Sequence, residues 1–166
     1  MPTTQENLAV AFAGESQANR KYLAFAKQAD KDGLPRIAGL FRAAAEAETI
    51  HALGHFQNLG AVRSTADNLR DAIAGETYEY TEMYPPMLAQ AEKDNHKAKV
   101  MFGFANKAEK VHATMFQQAL DALKSGADMT QMEVYLCPFC GDVEFGKPPD
   151  KCPICGTPAA KFLKVA

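Results

Sequence analysis

The sequence lacks any long uninterrupted run of apolar residues, although apolar residues fill 47% of its 166 positions. A helix needs about 20 consecutive apolar residues to cross a bilayer, so we expect no membrane-spanning segment. The opening stretch MPTTQENLAVAFAG also lacks the basic region, apolar core and cleavage site of a secretory signal. We therefore interpret the chain as cytoplasmic, with no membrane as a partner.

Basic tracts are missing as well, and the formal net charge is -2. This charge gives little attraction for phosphate backbones, so nucleic acid is not an expected partner. All four cysteines lie between Cys137 and Cys155, and the rest of the chain has none. Because such a local cluster cannot cross-link the whole chain, reduced thiolates that bind a metal are the natural interpretation.

The region from residue 6 to about residue 124 is rich in strong helix formers and poor in β-branched residues, which predicts helix. Turn-forming residues separate four long helices. The Pro85-Pro86 pair should kink the third helix without ending it, because apolar spacing resumes after it. From Val134 the composition changes to Cys, Pro, Gly and aromatics. The sequence thus predicts a mainly α protein with a helical domain at residues 1–130 and a small metal-bound domain at residues 131–166. Within the helical domain, the breaks between helices are expected at residues 32–35, 60–65 and 94–96.

The helical region contains an internal duplication, in which the segment AGES that starts at Ala13 recurs as AGET starting at Ala74. The same offset relates the helices that follow. In each copy, a helix with one central glutamate is followed, at the same distance along the chain, by a helix that carries a Glu-x-x-His motif. Two half-sites of the same composition result. Their members are Glu15, Glu48 and His51 in the first copy and Glu76, Glu109 and His112 in the second.

Helical geometry explains this spacing, because residues three apart lie on one face and can reach a common site. The stripes that carry these residues are otherwise apolar, and burying several bare carboxylates is costly unless cations accompany them. One glutamate from each of two helices and Glu-x-x-His from each of two others is the ligand set of the ferritin-like di-metal proteins. We therefore predict a dinuclear metal site in a ferritin-like four-helix bundle.

One acid breaks the symmetry of the duplication. Glu79 lies three residues after Glu76, whereas the equivalent position of the first copy is Ala18. Four carboxylates balance two divalent ions, so a fifth hard oxygen donor favours a more highly charged, oxidised pair. Glu79 is therefore a candidate redox-linked residue. Tyr22 and Tyr84 are candidates for hydrogen bonds to ligands or to a bound substrate, with core packing as the alternative.

The four cysteines form two C-P-x-C-G motifs, which are typical of a tetrahedral four-thiolate site. Glycine after each second cysteine allows a positive φ, so that backbone N–H groups can point at the sulfurs. Zinc and iron both accept four thiolates, and the spacing does not choose between them. The ligands are Cys137, Cys140, Cys152 and Cys155, and the expected apolar complement is Tyr135, Phe139, Phe145 and Phe162.

These motifs together resemble the rubrerythrin family, which joins a ferritin-like diiron bundle to a C-terminal rubredoxin-like domain. The resemblance implies iron at both sites and bridging roles for Glu48 and Glu109. It further implies that Glu15, Glu79 and His51 surround one iron and that Glu76 and His112 complete the other. On reduction, the first iron would exchange the Glu79 carboxylate for the His51 imidazole as its ligand.

The activity that the resemblance implies is the reduction of hydrogen peroxide to water by the diiron pair. Electrons would come from an NAD(P)H-dependent reductase or a rubredoxin and pass through the four-cysteine iron. The resemblance also implies a homodimer in which the rubredoxin-like domain of one chain approaches the diiron site of the other. Two alternatives remain open at this point: a ferritin-type protein that oxidises and stores iron, and a zinc-stabilised binding module.

Overall fold

The computed structural model of the chain describes residues 1–130 and 133–165. The helices begin and end at the predicted breaks, so the mainly α prediction is confirmed. The predicted domain boundary at residue 131 lies outside the described residues and stays a prediction. The helical elements are α1 (Thr4–Lys31), α2 (Pro35–Asn58), α3 (Thr65–Tyr78), a π-helical segment (Glu79–Met83), α4 (Tyr84–Lys93) and α5 (Ala98–Lys124).

None of the helices in the described ranges combines the length and the apolar character that a membrane span requires. Backbone contacts group the chain into two compact units, Met1–Arg63 and Ser64–Ala166. The first unit holds α1 and α2, and the second holds all later elements.

In the first unit, α1 and α2 form a helical hairpin. The Thr3 side chain accepts from the Glu6 backbone N–H and Glu6 reaches back to the Thr3 backbone, so a capping box starts α1. The buried residues of α2 are Ala38, Ala45 and Ala52, one on every second turn of the same face. These small side chains let the helices approach closely, and Asn19 of α1 donates to the Ala45 carbonyl oxygen at 2.7 Å. The hairpin thus holds the two helices in one fixed register.

In the second unit, helix continues from α3 through the π-helical segment into α4. The Tyr84 N–H donates to the Glu79 carbonyl oxygen, five residues back. Pro85 and Pro86 follow directly; they have no N–H to donate, and their rings would collide with carbonyls four residues back in a regular α-helix. Widening the helix just before them avoids that collision. The prolines therefore do not end the helix, as predicted.

The π-helical segment is a one-residue insertion relative to α1. Up to Glu76, residues of the second copy lie at a constant offset from their counterparts in the first copy. That offset would place the counterpart of Tyr22 one residue before Tyr84. Both tyrosines make the same contact: the Tyr22–Phe41 and Tyr84–Phe102 ring centroids are each 6.2 Å apart. Phe41 and Phe102 are again related by the original offset. The wider turn absorbs the extra residue, so that both tyrosines occupy equivalent positions.

The Cys-rich segment of the second unit forms a small antiparallel sheet of order β2-β1-β3, with two tight turns around its cysteines. Its strands are β1 (Val134–Leu136), β2 (Val143–Phe145) and β3 (Leu163–Lys164), with a short 3₁₀ helix at Ala159–Lys161. Phe162 is buried against the cysteines and Tyr135 packs beside it. Phe139 was expected to join this core, but it is 63% exposed because it lies at the tip of the first cysteine turn.

Candidate metal centres

The first unit brings together the first predicted half-site. Glu15 of α1 and Glu48 and His51 of α2 place one donor atom each within 4.8 Å of one another. His51 Nδ1 lies 3.0 Å from Glu48 Oε2, across the one-turn spacing of the motif. The His51 side chain is 55% exposed, whereas Glu48 is 17% exposed. The histidine of this half-site is therefore open to solvent, while its glutamate partner is mostly covered.

The second unit brings together the second half-site in the same way. Donor atoms of Glu76, Glu109 and His112 again lie within 4.8 Å of one another. His112 Nδ1 lies 2.7 Å from Glu109 Oε2 and 3.6 Å from Glu76 Oε2. Burial, followed by the neighbouring Glu109, raises the pKa of Glu76 to about 7. The carboxylates here crowd one another, and without a cation one of them holds a proton up to neutral pH.

Glu79 and Tyr84 face this second half-site. Burial and the negative charge of Glu109 raise the pKa of Glu79, and the charge of His112 opposes that rise. The pKa of Tyr84 is also raised, by burial and then by the carboxylates of Glu109, Glu79 and Glu76. Of the described residues, only Glu76, Glu109 and His112 form the tight donor group on this side, and Glu79 lies outside it. Tyr22, in the first unit, makes ring contacts with Phe25 and Phe41.

The geometry of the Glu/His groups fits metal ions. A metal–donor distance of about 2.1 Å puts neighbouring donors roughly 3 to 3.5 Å apart, and the Glu–His distances of 2.7 and 3.0 Å lie close to that range. Glu76 Oε2 is buried and has no hydrogen-bond partner in the described part of the chain. A buried carboxylate oxygen of this kind needs a compensating charge. The residues therefore fit a cation at each half-site.

The four cysteines converge on one point. Cys137 Sγ lies 3.6 Å from Cys155 Sγ, and Cys140 Sγ lies 3.5 Å from Cys152 Sγ. Disulfide sulfurs are about 2 Å apart, whereas tetrahedral thiolates around one metal, each about 2.3 Å from it, are roughly 3.8 Å apart. The observed distances fit the metal site.

The two cysteine turns have the same backbone design. Gly141 has φ 84° and Gly156 has φ 78°, so the predicted positive φ after each motif is confirmed. Each glycine N–H donates to the carbonyl oxygen of the first cysteine of its motif, at 3.0 and 2.9 Å. In this turn geometry, backbone N–H groups point at the sulfurs. The N–H groups of Ile154 and Cys155 point at the Cys152 sulfur.

The thiols differ strongly in acidity. Burial raises the pKa of Cys140, and it raises that of Cys152 to about 11. At Cys155 burial acts in the same direction, but hydrogen bonds with Thr157, Cys152 and Cys140 together outweigh it and bring the pKa to about 6. Because a metal ligand must be a thiolate, the buried thiols need a cation to ionise at neutral pH. Metal binding and the folding of this segment are therefore coupled.

Comparison with known proteins assigns the chain to a family. The sequence model named rubrerythrin matches residues 6–120. The chain belongs to the rubrerythrin family. The rubredoxin-like domain of rubrerythrin matches residues 135–163, so the prediction of a ferritin-like helical part followed by a rubredoxin-like domain is confirmed.

Relatives in this family match over nearly the whole chain. Rubrerythrin-2 of Clostridium acetobutylicum is 38% identical, over 96% of this chain and 95% of its own length. Nigerythrin of Nitratidesulfovibrio vulgaris is also 38% identical, over 96% of this chain and 85% of its own length. A structure of mixed-valent nigerythrin covers 99% of this chain and 87% of its own, with 36% identity and a TM-score of 0.57. Another nigerythrin structure is described as fully reduced and all ferrous.

Membership in the rubrerythrin family supports a diiron oxidoreductase as the general activity. The chain has the Glu/His groups of a diiron-type centre and the four-cysteine group of a rubredoxin-type centre. Which of these residues bind metal, and the catalytic roles of Glu79, His51, Tyr22 and Tyr84, remain predictions.

Sequence reasoning missed two polar groups in the second unit, the Asp142 carboxylate and the Gly141 carbonyl oxygen. Asp142 is fully buried, Cys152 Sγ lies 3.3 Å from its Oδ2, and its Oδ1 has no partner in the described ranges. Burial raises the pKa of Asp142, and the hydrogen bond from Cys152 and the nearby His112 oppose that rise. Gly141 was recognised for its conformation, but its carbonyl oxygen also lies 2.9 Å from His112 Nε2. The position of an acid directly after the C-P-F-C-G motif was the one sequence signal for Asp142. No local sequence signal indicates the contact of the Gly141 oxygen with His112.

Proposed function

We propose that the chain is a non-haem diiron peroxidase that reduces hydrogen peroxide to water. The observation that carries the proposal is the presence, in one chain, of duplicated Glu/Glu/His donor groups and a four-cysteine group. The two donor groups would hold a pair of iron ions, which in the ferrous state would supply the two electrons that cleavage of an O–O bond requires. Each turnover uses one peroxide, two electrons and two protons, and yields two molecules of water.

A protonated group beside the second half-site can support the proton consumption of this reaction. Glu76 is not that group, because its carboxylate would bind iron in the loaded protein, although its pKa is about 7 when no cation faces it. Tyr84 keeps its phenol proton because burial and neighbouring carboxylates raise its pKa, and it can donate a hydrogen bond towards the site. We assign Glu79 and His51 to the carboxylate–histidine exchange that the family resemblance implies.

The four-cysteine group distinguishes this proposal from ferritin-type iron storage. A ferroxidase needs the Glu/His site alone, whereas a peroxidase that turns over repeatedly must receive two electrons after each reaction. A one-electron carrier in the same chain meets that need. The expected partners are hydrogen peroxide, a rubredoxin or an NAD(P)H-dependent reductase as electron donor, and a second copy of the chain in a homodimer.

Anaerobic stopped-flow mixing of the fully reduced, iron-loaded protein with peroxide tests the proposal. We expect peroxide to oxidise the diiron pair faster than oxygen does. Faster reaction with oxygen, together with a cage-sized assembly in gel filtration and many irons per chain, would establish the storage alternative. A colourless protein with zinc in both sites would establish a binding module.

The Glu79→Ala variant tests the role of the additional acid. We expect it to keep nearly full iron content while turnover falls by roughly tenfold or more, as for residues that adjust a metal site without being needed to hold it. The exposed Glu82 provides the matched control, since Glu82→Ala removes an acid three residues further along and should leave turnover unchanged. Complete loss of the diiron iron in Glu79→Ala would count against a redox-specific role.

A further inference from the structure

The connection between the first hairpin, α1 with α2, and the second hairpin, α3 to α5, is short. α2 ends at Asn58 and α3 begins at Thr65, so residues 59–64 join them. The N–H groups of Leu59 and Gly60 donate backwards to carbonyl oxygens in the last turn of α2, so this end of the connection is tied to the helix. Even if every residue of it were extended, the connection would span roughly 25 Å.

A ferritin-like bundle needs a longer connection between its two hairpins. Such bundles contain one long crossover, which joins two helices that run in the same direction. The other connections between bundle helices in the described ranges, residues 32–34 and 94–97, are shorter still and only turn the chain back within a hairpin. The crossover therefore falls between α2 and α3, and α3 must begin at the end of the bundle opposite to the end of α2.

The donor residues give the distance that this crossover has to cover. Glu48 lies ten residues before the end of α2, and Glu76 lies eleven residues after the start of α3. With a rise of about 1.5 Å per residue, the end of α2 lies about 15 Å from the level of the metal site, and the start of α3 lies about 16 Å from it on the other side. A crossover within one chain would thus run about 31 Å along the bundle. Residues 59–64 are too short for that distance.

Each hairpin also leaves apolar surface uncovered beside its donors. On α2, Ile37 and Leu40 lie on the helical stripe that carries Glu48, and they are 47% and 70% exposed. On the second hairpin, a cavity of about 410 Å³ borders Glu76 and His112. Each surface carries half of the ligand set and needs a partner that covers its apolar side chains. The apolar residues that α3 and α5 contribute to the cavity are Leu69, Met115, Phe116 and Ala119.

We propose that two copies of the chain exchange hairpins, so that each dinuclear site is shared between them. The first hairpin of one copy covers the donor face of α3 and α5 in the other copy, where its apolar stripe meets the cavity. The short connection then only has to reach a neighbouring bundle, and helices packed side by side lie about 8–10 Å apart. Each site combines donors from both copies: Glu15, Glu48 and His51 from one, and Glu76, Glu109 and His112 from the other.

The shared site changes how the carboxylate–histidine exchange is built. Glu79 lies on the second hairpin and His51 on the first, so the two competing ligands come from different copies of the chain. The proposal rests on the dinuclear site of the proposed function and does not depend on the peroxide reaction. It also differs from the approach of the rubredoxin-like domain that the family resemblance implies, because here the second copy supplies metal ligands.

Mixed dimers test the sharing. One defect, Glu15→Ala with Glu48→Ala, removes the first half-site, and the matched defect at the duplicated positions, Glu76→Ala with Glu109→Ala, removes the second. Two differently tagged chains are co-expressed and purified through both tags. In the split dimer each chain carries one defect. In the combined dimer one chain carries both defects and its partner is unaltered.

Iron pairs are counted by iron analysis and by electron paramagnetic resonance of the half-reduced protein, which distinguishes coupled from single irons. With exchanged hairpins the split dimer keeps one of its two sites, and the combined dimer keeps neither. We therefore expect about half of the wild-type iron pairs in the split dimer and their loss in the combined dimer. The reverse result, equal counts in the two dimers, or a wild-type monomer that holds an iron pair would overturn the proposal. Iron in the four-cysteine centre verifies that the chains are folded, and because no peroxide is used, failure of the peroxidase assignment leaves the count readable.

Lengthening the connection is an independent test. A Gly/Ser insert of about 25 residues between Ala61 and Val62 raises the root-mean-square span of the connection to roughly 30 Å, enough for a crossover within one chain. We expect the combined dimer with this insert to regain iron pairs, because its chain with both half-sites can complete a site alone. The same insert after Gly126, beyond the end of α5, is the control and should leave both counts unchanged. Continued loss of iron pairs in the combined dimer with the longer connection would overturn the proposal.

Discussion

Neutralising Glu76 should change how the stability of the metal-free protein depends on pH. Burial and the neighbouring Glu109 raise its pKa from 4.5 to about 7. Between these values the folded chain keeps a proton that the unfolded chain has released, so the free energy of unfolding falls as pH rises and levels off above pH 7. The difference between the two pKa values corresponds to about 3 kcal/mol in the free energy of unfolding. Glutamine has a similar shape but does not ionise, so Glu76→Gln should be more stable than the wild type near pH 8 by about that amount.

Urea unfolding of the chelated, reduced protein, followed by far-ultraviolet circular dichroism near pH 5 and near pH 8, measures this difference. A smaller fall with pH should persist in Glu76→Gln, because the pKa of Glu79 is raised as well. Glu82→Gln is the control, since Glu82 is exposed and its substitution should leave the pH profile of the wild type intact. If Glu76→Gln loses as much stability between the two pH values as the wild type, the carboxylates of the half-site do not crowd one another as the structure indicates.

Two further predictions concern the cysteine segment and the π-helical segment. In metal-free protein near pH 7 whose cysteine segment stays folded, as dispersed backbone NMR signals report, iodoacetamide should alkylate Cys155 before Cys152, because their pKa values are about 6 and about 11. Peptide mass spectrometry reports the order, and equal labelling in the folded segment would contradict those acidities. Deleting Thr81 should force Pro85 and Pro86 into a regular α-helical register and cost about 3 kcal/mol or more in urea unfolding. Adding Pro85→Leu and Pro86→Ala, the residues that α1 has at those positions, should restore most of the loss, and a deletion variant as stable as the wild type would refute the insertion.

The helix boundaries could be predicted from the sequence because they depend on local chemistry. The break after α1 contains Gly33 with φ 74°, and the break after α4 contains Asn95 with φ 48°. Turn formers of this kind specify such conformations within a few residues. The π-helical segment could not be predicted in this way. The duplication was visible, but the shift of Tyr84 by one residue gains meaning only when its ring contact is compared with that of Tyr22.

The metal-ligating candidates could be predicted for a related reason, since residues three apart on a helix or in a C-P-x-C turn must approach one another. The contacts that these candidates make with the rest of the protein could not be predicted. The bond from His112 to Gly141 joins residues 29 positions apart and involves a backbone oxygen, which leaves no trace in residue type. Asp142 was overlooked because acids are usually exposed, and Phe139 was placed in the core because aromatics are usually buried. In both cases the path of the cysteine turn decides the outcome.

The two histidines of the duplicated motif are held differently, and this bears on which of them can exchange with Glu79. His112 is covered and has partners on both ring nitrogens, Glu109 at Nδ1 and the Gly141 oxygen at Nε2. His51 is largely exposed, and Glu48 at Nδ1 is its one hydrogen-bond partner in the described residues. A ligand that leaves a metal and returns to it must rotate, and rotation of His112 would break the bond to Gly141. The contact with Gly141 thus favours His51 as the histidine that moves.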